Sequence, residues 1–101
     1  MGYDDSIIEI RETANYSAWL TRLRDRKARA RIAERIHRLR LGNPGDVAPV
    51  GDGVSEMRIH YGPGYRVYYR QLGCEVIILL AGGDKSTQQK DICRARALAR
   101  L

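Results

Sequence analysis

Four side chains that could bind a phosphate or move protons beside it flank a turn at 62–64: Arg58, His60, Arg66 and Tyr68. Guanidinium groups bind phosphate oxygens through paired hydrogen bonds, and an imidazole can gain or lose a proton near neutral pH. Together such groups could stabilise the charge that develops on a phosphodiester and transfer its protons. The residue types therefore predict chemistry on a phosphate if one sheet face carries all four.

The residues on both sides of this turn alternate between apolar and polar types, which predicts a β-hairpin. Its strands are expected at 55–61 and 65–71, where alternate side chains share a face. Directly paired residues on one face lie within about 5.5 Å at Cβ, and a single bulge would separate them. The expected pairs are Tyr61 with Tyr65, His60 with Arg66, Arg58 with Tyr68 and Glu56 with Arg70.

Lys85 could add a further cation, because the segment "AGGDKST" joins an apolar strand to a helix. Free N–H groups at a helix N-terminus favour an anion. Asp84 interrupts the spacing that the phosphate-binding loop of nucleotide hydrolases requires. The segment therefore predicts a cation beside an anion site and not a nucleotide-binding loop.

Helical periodicity follows a short strand expected at 6–13. Thr13 and Asp25 are the expected N-caps of two helices, and the stop signal at 42–45 ends the second helix. Two helices joined by a short link predict an αα-hairpin. The apolar positions at helical spacing are Tyr16, Trp19, Leu20 and Leu23 in the first helix and Ala28, Ile32, Ile36 and Leu39 in the second. Trp19 is expected to anchor the first helix to the sheet, because an aromatic side chain at this spacing is typical of the core.

The remaining segments complete an α+β pattern. The connector 43–54 is rich in turn residues, and the aliphatic strand 75–81 is typical of a central strand covered on both faces. Ser86 and Gln89 have capping-box spacing at the start of a third helix. The expected fold is a single α+β domain over 1–101 in the order β-α-α-β-β-β-α. It has a small, antiparallel-rich twisted sheet with an N-terminal helical hairpin and a C-terminal helix packed on one face.

Arginine dominates the charge of the chain, with 15 of 18 basic residues and a formal net charge of +6. This excess fits nucleic acid or an acidic protein as a partner, although GC-rich codon usage would produce the same bias. The N-terminus has no signal-peptide pattern, and the longest apolar run is too short to cross a bilayer. Cys74 and Cys93 have no metal-ligand spacing. A cytoplasmic protein with reduced thiols, no metal and no cofactor is expected.

The helix pair carries more than the whole net charge, with nine basic and two acidic residues from Arg22 to Arg40. Such a run is most often a solvated helix face. Phosphate contacts nevertheless supply most of the non-specific affinity for nucleic acids, so a surface for RNA or the ribosome is the functional alternative. Its candidate residues are Arg22, Arg26, Lys27, Arg29, Arg31, Arg35 and Arg38.

Three segments resemble one known superfamily in sequence and in order: "LGNPGD", "EMRIHYGPGYRVYY" and "GGDKSTQQKDI". With the helices before them, they are similar to the RelE/ParE superfamily of toxins from bacterial toxin–antitoxin operons, over nearly the whole chain. Within that superfamily the chain resembles the HigB-like branch, the addiction module killer proteins that are also called phage-derived Gp49-like. The resemblance implies a RelE-like fold, which agrees with the order of elements above.

The resemblance also implies an activity, that of a ribosome-dependent mRNA endonuclease (an mRNA interferase) that inhibits translation. Such toxins activate the 2′-hydroxyl of the message in the ribosomal A site, and they leave a cyclic phosphate and a 5′-hydroxyl without using a metal. The implied partners are the ribosome, mRNA and a cognate antitoxin from the adjacent gene that carries a DNA-binding helix-turn-helix. No membrane is implied.

By position, Arg66 matches the arginine of the superfamily that binds the scissile phosphate, and Arg58 matches a basic position that serves the phosphate or the general base. Lys85 falls where the superfamily keeps a cation. His60 is a candidate acid or base by its chemistry, and Tyr68 would stack on a base or orient one. The catalytic tyrosine of the C-terminal helix has no match, because "QQKDI" stands there. Either another group substitutes for this tyrosine, or cleavage is slow, or the activity differs. Two rival functions stay open, a ParE-like gyrase poison that acts by binding and a catalytically degenerate module that binds its antitoxin.

Overall fold

The computed structural model describes residues 8–101, in which five strands and three α-helices follow one another. They are β1 (Glu9–Glu12), α1 (Ala14–Arg22), α2 (Arg26–Arg40), β2 (Val47–Gly51), β3 (Val54–Ile59), β4 (Tyr65–Leu72), β5 (Val76–Asp84), a short 3₁₀ turn (Lys85–Thr87) and α3 (Gln88–Ala99). The strands form a mixed sheet in the order β1-β5-β4-β3-β2. Only β1 pairs in parallel, against β5, so the α+β class with an antiparallel-rich sheet is confirmed.

The turn-rich connector contains the edge strand β2, which the sequence pattern did not predict. Pro49 lies exposed within β2, and an edge strand is where a sheet tolerates proline because one side of the strand needs no N–H donor. The order is therefore β-α-α-β-β-β-β-α. The first strand is shorter than expected and begins at Glu9, while residues 6 and 7 of the predicted strand lie outside the described residues.

The helices cover both faces of the sheet, so the expectation that they pack on one face was wrong. α1 and α2 pack against Ile77 and Leu79, whereas α3 packs through Ala95 against Leu80 and Ala81. Side chains of β5 are therefore buried on opposite faces, as the alternation along a strand allows. Because β5 also lies between β1 and β4, the predicted central strand with two covered faces is confirmed.

Two consecutive glycines in β5 allow α1 and α3 to approach the sheet from opposite sides. A Cβ on Gly82 would overlap the indole ring of Trp19, and a Cβ on Gly83 would overlap the carboxylate of Asp91. Any side chain at these positions would displace one of the two helices. Trp19 thus anchors α1 to the sheet, as its helical spacing predicted, and its ring also lies edge-on to Tyr65.

Side-chain caps begin the first two helices at the predicted residues. Oγ1 of Thr13 accepts a hydrogen bond from the backbone N–H of Tyr16 at 3.1 Å. Oδ1 of Asp25 accepts from two backbone N–H groups in the first turn of α2, at 3.0 and 3.1 Å. The third cap differs from the prediction because the side chain of Asp84, and not that of Ser86, accepts the backbone N–H that starts the turn leading into α3.

We expect Asp25→Ala to lower the free energy of unfolding by about 1–2 kcal/mol, because it removes both N-cap hydrogen bonds of α2. It also removes the acceptor for the hydroxyl of Tyr61, which lies 3.3 Å away. Asp25→Asn keeps an acceptor and should retain most of the stability. Urea denaturation followed by circular dichroism measures both variants, and a fully stable alanine variant would contradict the capping role.

β3 and β4 are joined by a loop of residues 60–64, which is longer than the turn that the sequence predicted. As a result Arg58 lies opposite Arg66, and Glu56 lies opposite Tyr68. The predicted cross-strand pairs were therefore wrong by two residues. A shift of two residues keeps each side chain on its predicted face, because side chains alternate along a strand with a period of two.

The described residues contain no helix that is long and apolar enough to cross a membrane. Both cysteines are exposed free thiols. Cys74 lies in the turn between β4 and β5, and Cys93 lies on α3, so the two thiols occupy separate parts of the surface.

Candidate functional site

A buried carboxylate lies at the centre of the polar face of the hairpin. Glu56 on β3 is only 1% exposed. Its Oε2 accepts hydrogen bonds from Nε2 of Gln88 at 2.8 Å and from the hydroxyl of Tyr68 at 3.0 Å. Its Oε1 accepts from Nε of Arg58 at 3.1 Å, and Nε of Arg66 lies 3.8 Å from Oε2. Glu56 therefore connects β3 and β4 to the first residue of α3.

The surroundings of Glu56 keep its carboxylate charged. Burial would raise the pKa of Glu56, because it disfavours the charged form. Hydrogen bonds from three neighbours and the charge of Arg66 outweigh burial, so the pKa of Glu56 lies below its ordinary value. Burial and the nearby carboxylate raise the pKa of Tyr68, so its phenol stays protonated and donates the hydrogen bond.

Arg58 and Arg66 face each other across the two strands, which places two guanidinium groups on the same sheet face. The side chain of Arg58 is 37% exposed and that of Arg66 is 11% exposed. Nη1 of Arg66 donates to the carbonyl of Gly64 at 3.1 Å, but its buried Nε has no hydrogen-bond partner among residues 8–101. Like charges directly opposite each other destabilise a sheet. The carboxylate of Glu56 beside both groups offsets this repulsion.

The sequence predicted that His60 lies opposite Arg66. In the structure it lies at the rim of this cluster instead. Its side chain is 73% exposed in the hairpin loop, and its Nε2 pairs with Oδ2 of Asp46. The other oxygen of Asp46 lies 3.8 Å from Nη1 of Arg58. The hydrogen bond with His60 and, to a smaller extent, the charge of Arg58 lower the pKa of Asp46. Asp46 thus connects an accessible imidazole to the arginine pair.

Lys85 lies on the Arg66 side of the cluster. A Cβ on Gly64 would lie 3.4 Å both from Cβ of Lys85 and from Nη1 of Arg66, so the two side chains flank the same glycine. Gly64 has a φ of +81°, in the left-handed region that favours glycine. Lys85 is exposed. It adds a positive charge beside the arginine pair, as its position in the sequence suggested.

Tyr68 differs from the other predicted site residues because it is completely buried, with 0% exposure, in the core cluster under α3. A role in stacking on a base is incompatible with this burial. Its hydroxyl donates to Glu56 instead. Tyr68 can therefore act on the site only by orienting that carboxylate.

Most of the basic residues predicted to contact RNA or the ribosome lie on the exposed surface of the helical hairpin. Arg35 differs, because it is half-buried and its Nη1 donates to the carbonyl of Arg58 at 2.6 Å. Its Nη2 donates to the carbonyl of Pro44 at 3.1 Å. Arg35 therefore fastens α2 to β3 and to the connector. The exposed residues of the set are Arg22, Arg26, Lys27, Arg29, Arg31 and Arg38.

An apolar cavity of about 490 Å³ lies away from the polar cluster, between β1, α1 and α2. Neither the arginine pair nor any side chain that contacts Glu56 lines this cavity. This cavity is therefore separate from the candidate site. The apolar residues around the cavity are Ile10, Tyr16, Leu20, Ile32, Ile36 and Leu79.

Three residues of the cluster were missing from the predicted site. Glu56 was placed on the correct face, and a carboxylate two residues before Arg58 was the signal that could have identified it. Asp46 and Gln88 gave no local signal. They reach the cluster from the connector and from the start of α3, through contacts that only the tertiary structure creates.

The arrangement is suited to binding and stabilising a phosphate. Two guanidinium groups and a nearby ammonium group can stabilise negative charge that develops on phosphate oxygens. An exposed imidazole held by a carboxylate can transfer a proton at the rim of the same surface. Cations and a proton-transferring group are the types of group that enzymes use to act on a phosphodiester.

Comparison with known proteins identifies the family of the chain. Residues 18–99 match the family described as "Phage derived protein Gp49-like (DUF891)". A protein of Haemophilus influenzae (strain Rd), described as an uncharacterized protein, is 49% identical over 92 residues, which cover 91% of this chain and 93% of that protein. The matched family is associated with the toxins of addiction modules, and a toxin of this kind implies an antitoxin partner. The chain belongs to the phage-derived Gp49-like family.

Proposed function

We propose that this protein is the toxin of a type II toxin–antitoxin module and that it acts as a metal-independent, ribosome-dependent mRNA endonuclease. The observation that carries the proposal is the arginine pair, Arg58 and Arg66, held beside the buried carboxylate of Glu56. Binding to gyrase or to an antitoxin requires no such cluster on the sheet. Membership of the Gp49-like family supports the assignment as a toxin.

In the proposed reaction, the 2′-oxygen of one nucleotide attacks the phosphorus of its own 3′-phosphate. The bond to the 5′-oxygen of the next nucleotide breaks, and the products are a 2′,3′-cyclic phosphate and a 5′-hydroxyl. One proton leaves the 2′-hydroxyl, and one proton is delivered to the departing oxygen. Arg66 and Arg58 would stabilise the additional negative charge on the phosphate oxygens, which is the usual task of preorganised donors.

The other residues of the cluster support this reaction in separate ways. His60 would move one of the two protons, and its pairing with Asp46 would hold the imidazole ring in one orientation. Its high exposure suits a substrate as large as a message on the ribosome. Lys85 would add a third cation near the scissile phosphate, and Tyr68 would act through Glu56.

The exposed basic face of the helical hairpin is the proposed docking surface for ribosomal RNA. We expect the isolated protein to bind single-stranded RNA at low salt and to lose affinity steeply as salt rises, because each phosphate contact releases bound counterions. Fluorescence anisotropy with a labelled oligonucleotide measures this slope. Charge reversal of Arg22 and Arg26 should reduce the slope, whereas a flat salt response in the wild type would contradict an electrostatic docking surface.

The proposed protein partner is an antitoxin from the adjacent gene, with a helix-turn-helix for DNA. An acidic segment of that partner would complement the net charge of +6. Neutralisation of the toxin would then follow from covering the arginine pair or the basic face.

Induction of the protein without its antitoxin tests the proposed activity. We expect growth to stop and primer extension to show cuts inside codons of translated messages. Intact messages together with gyrase-dependent breaks in DNA would overturn the endonuclease assignment in favour of a gyrase poison. Normal growth, with a folded protein that still binds its antitoxin, would identify a degenerate module.

A further inference from the structure

We infer that Glu56 is a positioning residue that sets the spacing and orientation of Arg58 and Arg66, an inference that rests on the proposed function of the arginine pair. Arg58 and Arg66 are directly paired across β3 and β4, and like charges in such a pair destabilise a sheet. Glu56 is the acidic residue that contacts both of them. Without the charge of Glu56, the repulsion between the two guanidinium groups is no longer offset and favours a larger separation.

The carboxylate is itself fixed from several sides. Oε1 is engaged by Arg58, while Oε2 is engaged by the hydroxyl of Tyr68 on β4 and by the amide of Gln88 on α3. A carboxylate held by donors from a helix and two strands has little freedom to rotate. The fixed carboxylate in turn restricts the positions of the two guanidinium groups that contact it.

Two other roles fit Glu56 less well. A general base must reach the substrate, but Glu56 is only 1% exposed and both of its oxygens already accept hydrogen bonds. A purely stabilising role is also a poor explanation, because replacing a buried ion pair by apolar residues of similar size is often neutral or even stabilising. A buried charge that contacts both arginines is explained by the need to hold them together.

This role predicts that removal of the charge impairs cleavage without weakening the binding of RNA. Glu56→Gln raises the net positive charge next to the arginine pair, so its attraction for an RNA backbone should be equal or stronger. The same change lets the guanidinium groups lose their spacing, and misplacement of a catalytic group by about 1 Å can reduce the rate about 100-fold. We therefore expect kcat for mRNA cleavage to fall about 10- to 100-fold while KM does not rise.

Cleavage of a defined message on programmed ribosomes, with single-turnover rates, measures this separation of kcat from KM. Glu75→Gln is the matched control, because it removes one exposed carboxylate in the turn before β5 and should leave both constants unchanged. A folded Glu56→Gln variant with an unchanged kcat would overturn the inference. A variant in which KM rises together with the loss of kcat would overturn it as well.

A second measurement uses the wild-type protein and needs no activity. Because the pKa of Glu56 lies below its ordinary value, protonating this carboxylate requires a lower pH than an exposed glutamate needs. In an acid titration, the NMR signals of the Nε–H groups of Arg58 and Arg66 should shift together with the carboxyl carbon of Glu56. Arg70 lies on β4 with Arg66, but its side chain donates to the carbonyl of Ala99 and does not contact Glu56. Its signal is therefore the reference, which should not follow the protonation of Glu56. If the signals of Arg58 and Arg66 do not shift when Glu56 is protonated, the inference is wrong.

The two measurements also separate this inference from the proposed function. Coupled NMR shifts in a protein that leaves every message intact would reject the endonuclease and retain Glu56 as the group that positions the arginines. Active cleavage with uncoupled shifts would retain the endonuclease and reject the role of Glu56.

Discussion

Arg66→Ala should reduce mRNA cleavage by the induced protein about 100- to 1,000-fold and make the protein nearly harmless to the cell. Arg66 is largely buried, and its guanidinium group is held by the carbonyl of Gly64 and by the charge of Glu56. Such a preorganised donor stabilises the transition state more strongly than the substrate. Primer extension on a reporter message, with growth curves of the same cultures, measures the loss.

The control for Arg66→Ala must show that the fold survives the loss of a buried cation. Arg70→Ala removes an arginine from the same strand, at the end that faces the C-terminus of α3, and should retain cleavage. Thermal unfolding of both variants separates a loss of chemistry from a loss of structure. Arg66→Lys keeps the charge without the paired donors and should recover only part of the activity. A folded alanine variant as toxic as the wild type would refute the assignment of Arg66.

Gly82→Ala should lower the free energy of unfolding by about 3 kcal/mol, the upper part of the range for overpacked sites. The new methyl group would overlap the indole ring of Trp19, which is fixed between α1 and the sheet. The φ of Gly82 lies outside the left-handed region, so the loss comes from the steric overlap and not from backbone strain. Urea denaturation of the purified protein measures the change.

A double-mutant cycle with Trp19→Leu identifies the cause of this loss. The smaller side chain leaves room for the methyl group, so Gly82→Ala should cost much less in the Trp19→Leu background. Gly73→Ala is the contrasting control. It has a φ of +59° and open space around it, so the expected cost is about 1–2 kcal/mol from the backbone alone. Equal losses in both Trp19 backgrounds would contradict the contact.

Residues with local signals were predicted well. The caps Thr13 and Asp25 act on neighbouring N–H groups, so a few consecutive residue types were sufficient to place them. The aliphatic run of β5 likewise indicated a strand with two covered faces, and the helices confirm it. Helical spacing also identified Trp19 as the contact between α1 and the sheet.

Long-range pairing was predicted less well. β2 lies in a segment of glycine, proline and aspartate whose composition indicates turns, and it becomes a strand because β3 offers a pairing edge. The register of the central hairpin depends on the length of its loop, which the glycines alone did not determine. The face that α3 covers depends on where β5 ends, and no periodicity within α3 contains that information.

The sequence predicted which polar side chains of the hairpin share a face, but not how they are arranged. Arg58 and Arg66 share a face because strands alternate, a property that survived the error in register. The burial of Glu56 requires a side chain from α3 above it, and the rim position of His60 requires Asp46 from the connector. Both depend on segments that are distant in the chain, so no local pattern could reveal them.

The anchoring of Arg35 has a mechanical consequence. Its guanidinium group donates to the backbone carbonyl of Arg58, so it links α2 directly to the strand that carries one member of the arginine pair. A protein that binds the exposed side of α2 and shifts this helix could thus change the spacing between Arg58 and Arg66 without covering either arginine. Such a partner would inhibit the protein while RNA could still reach the arginine pair.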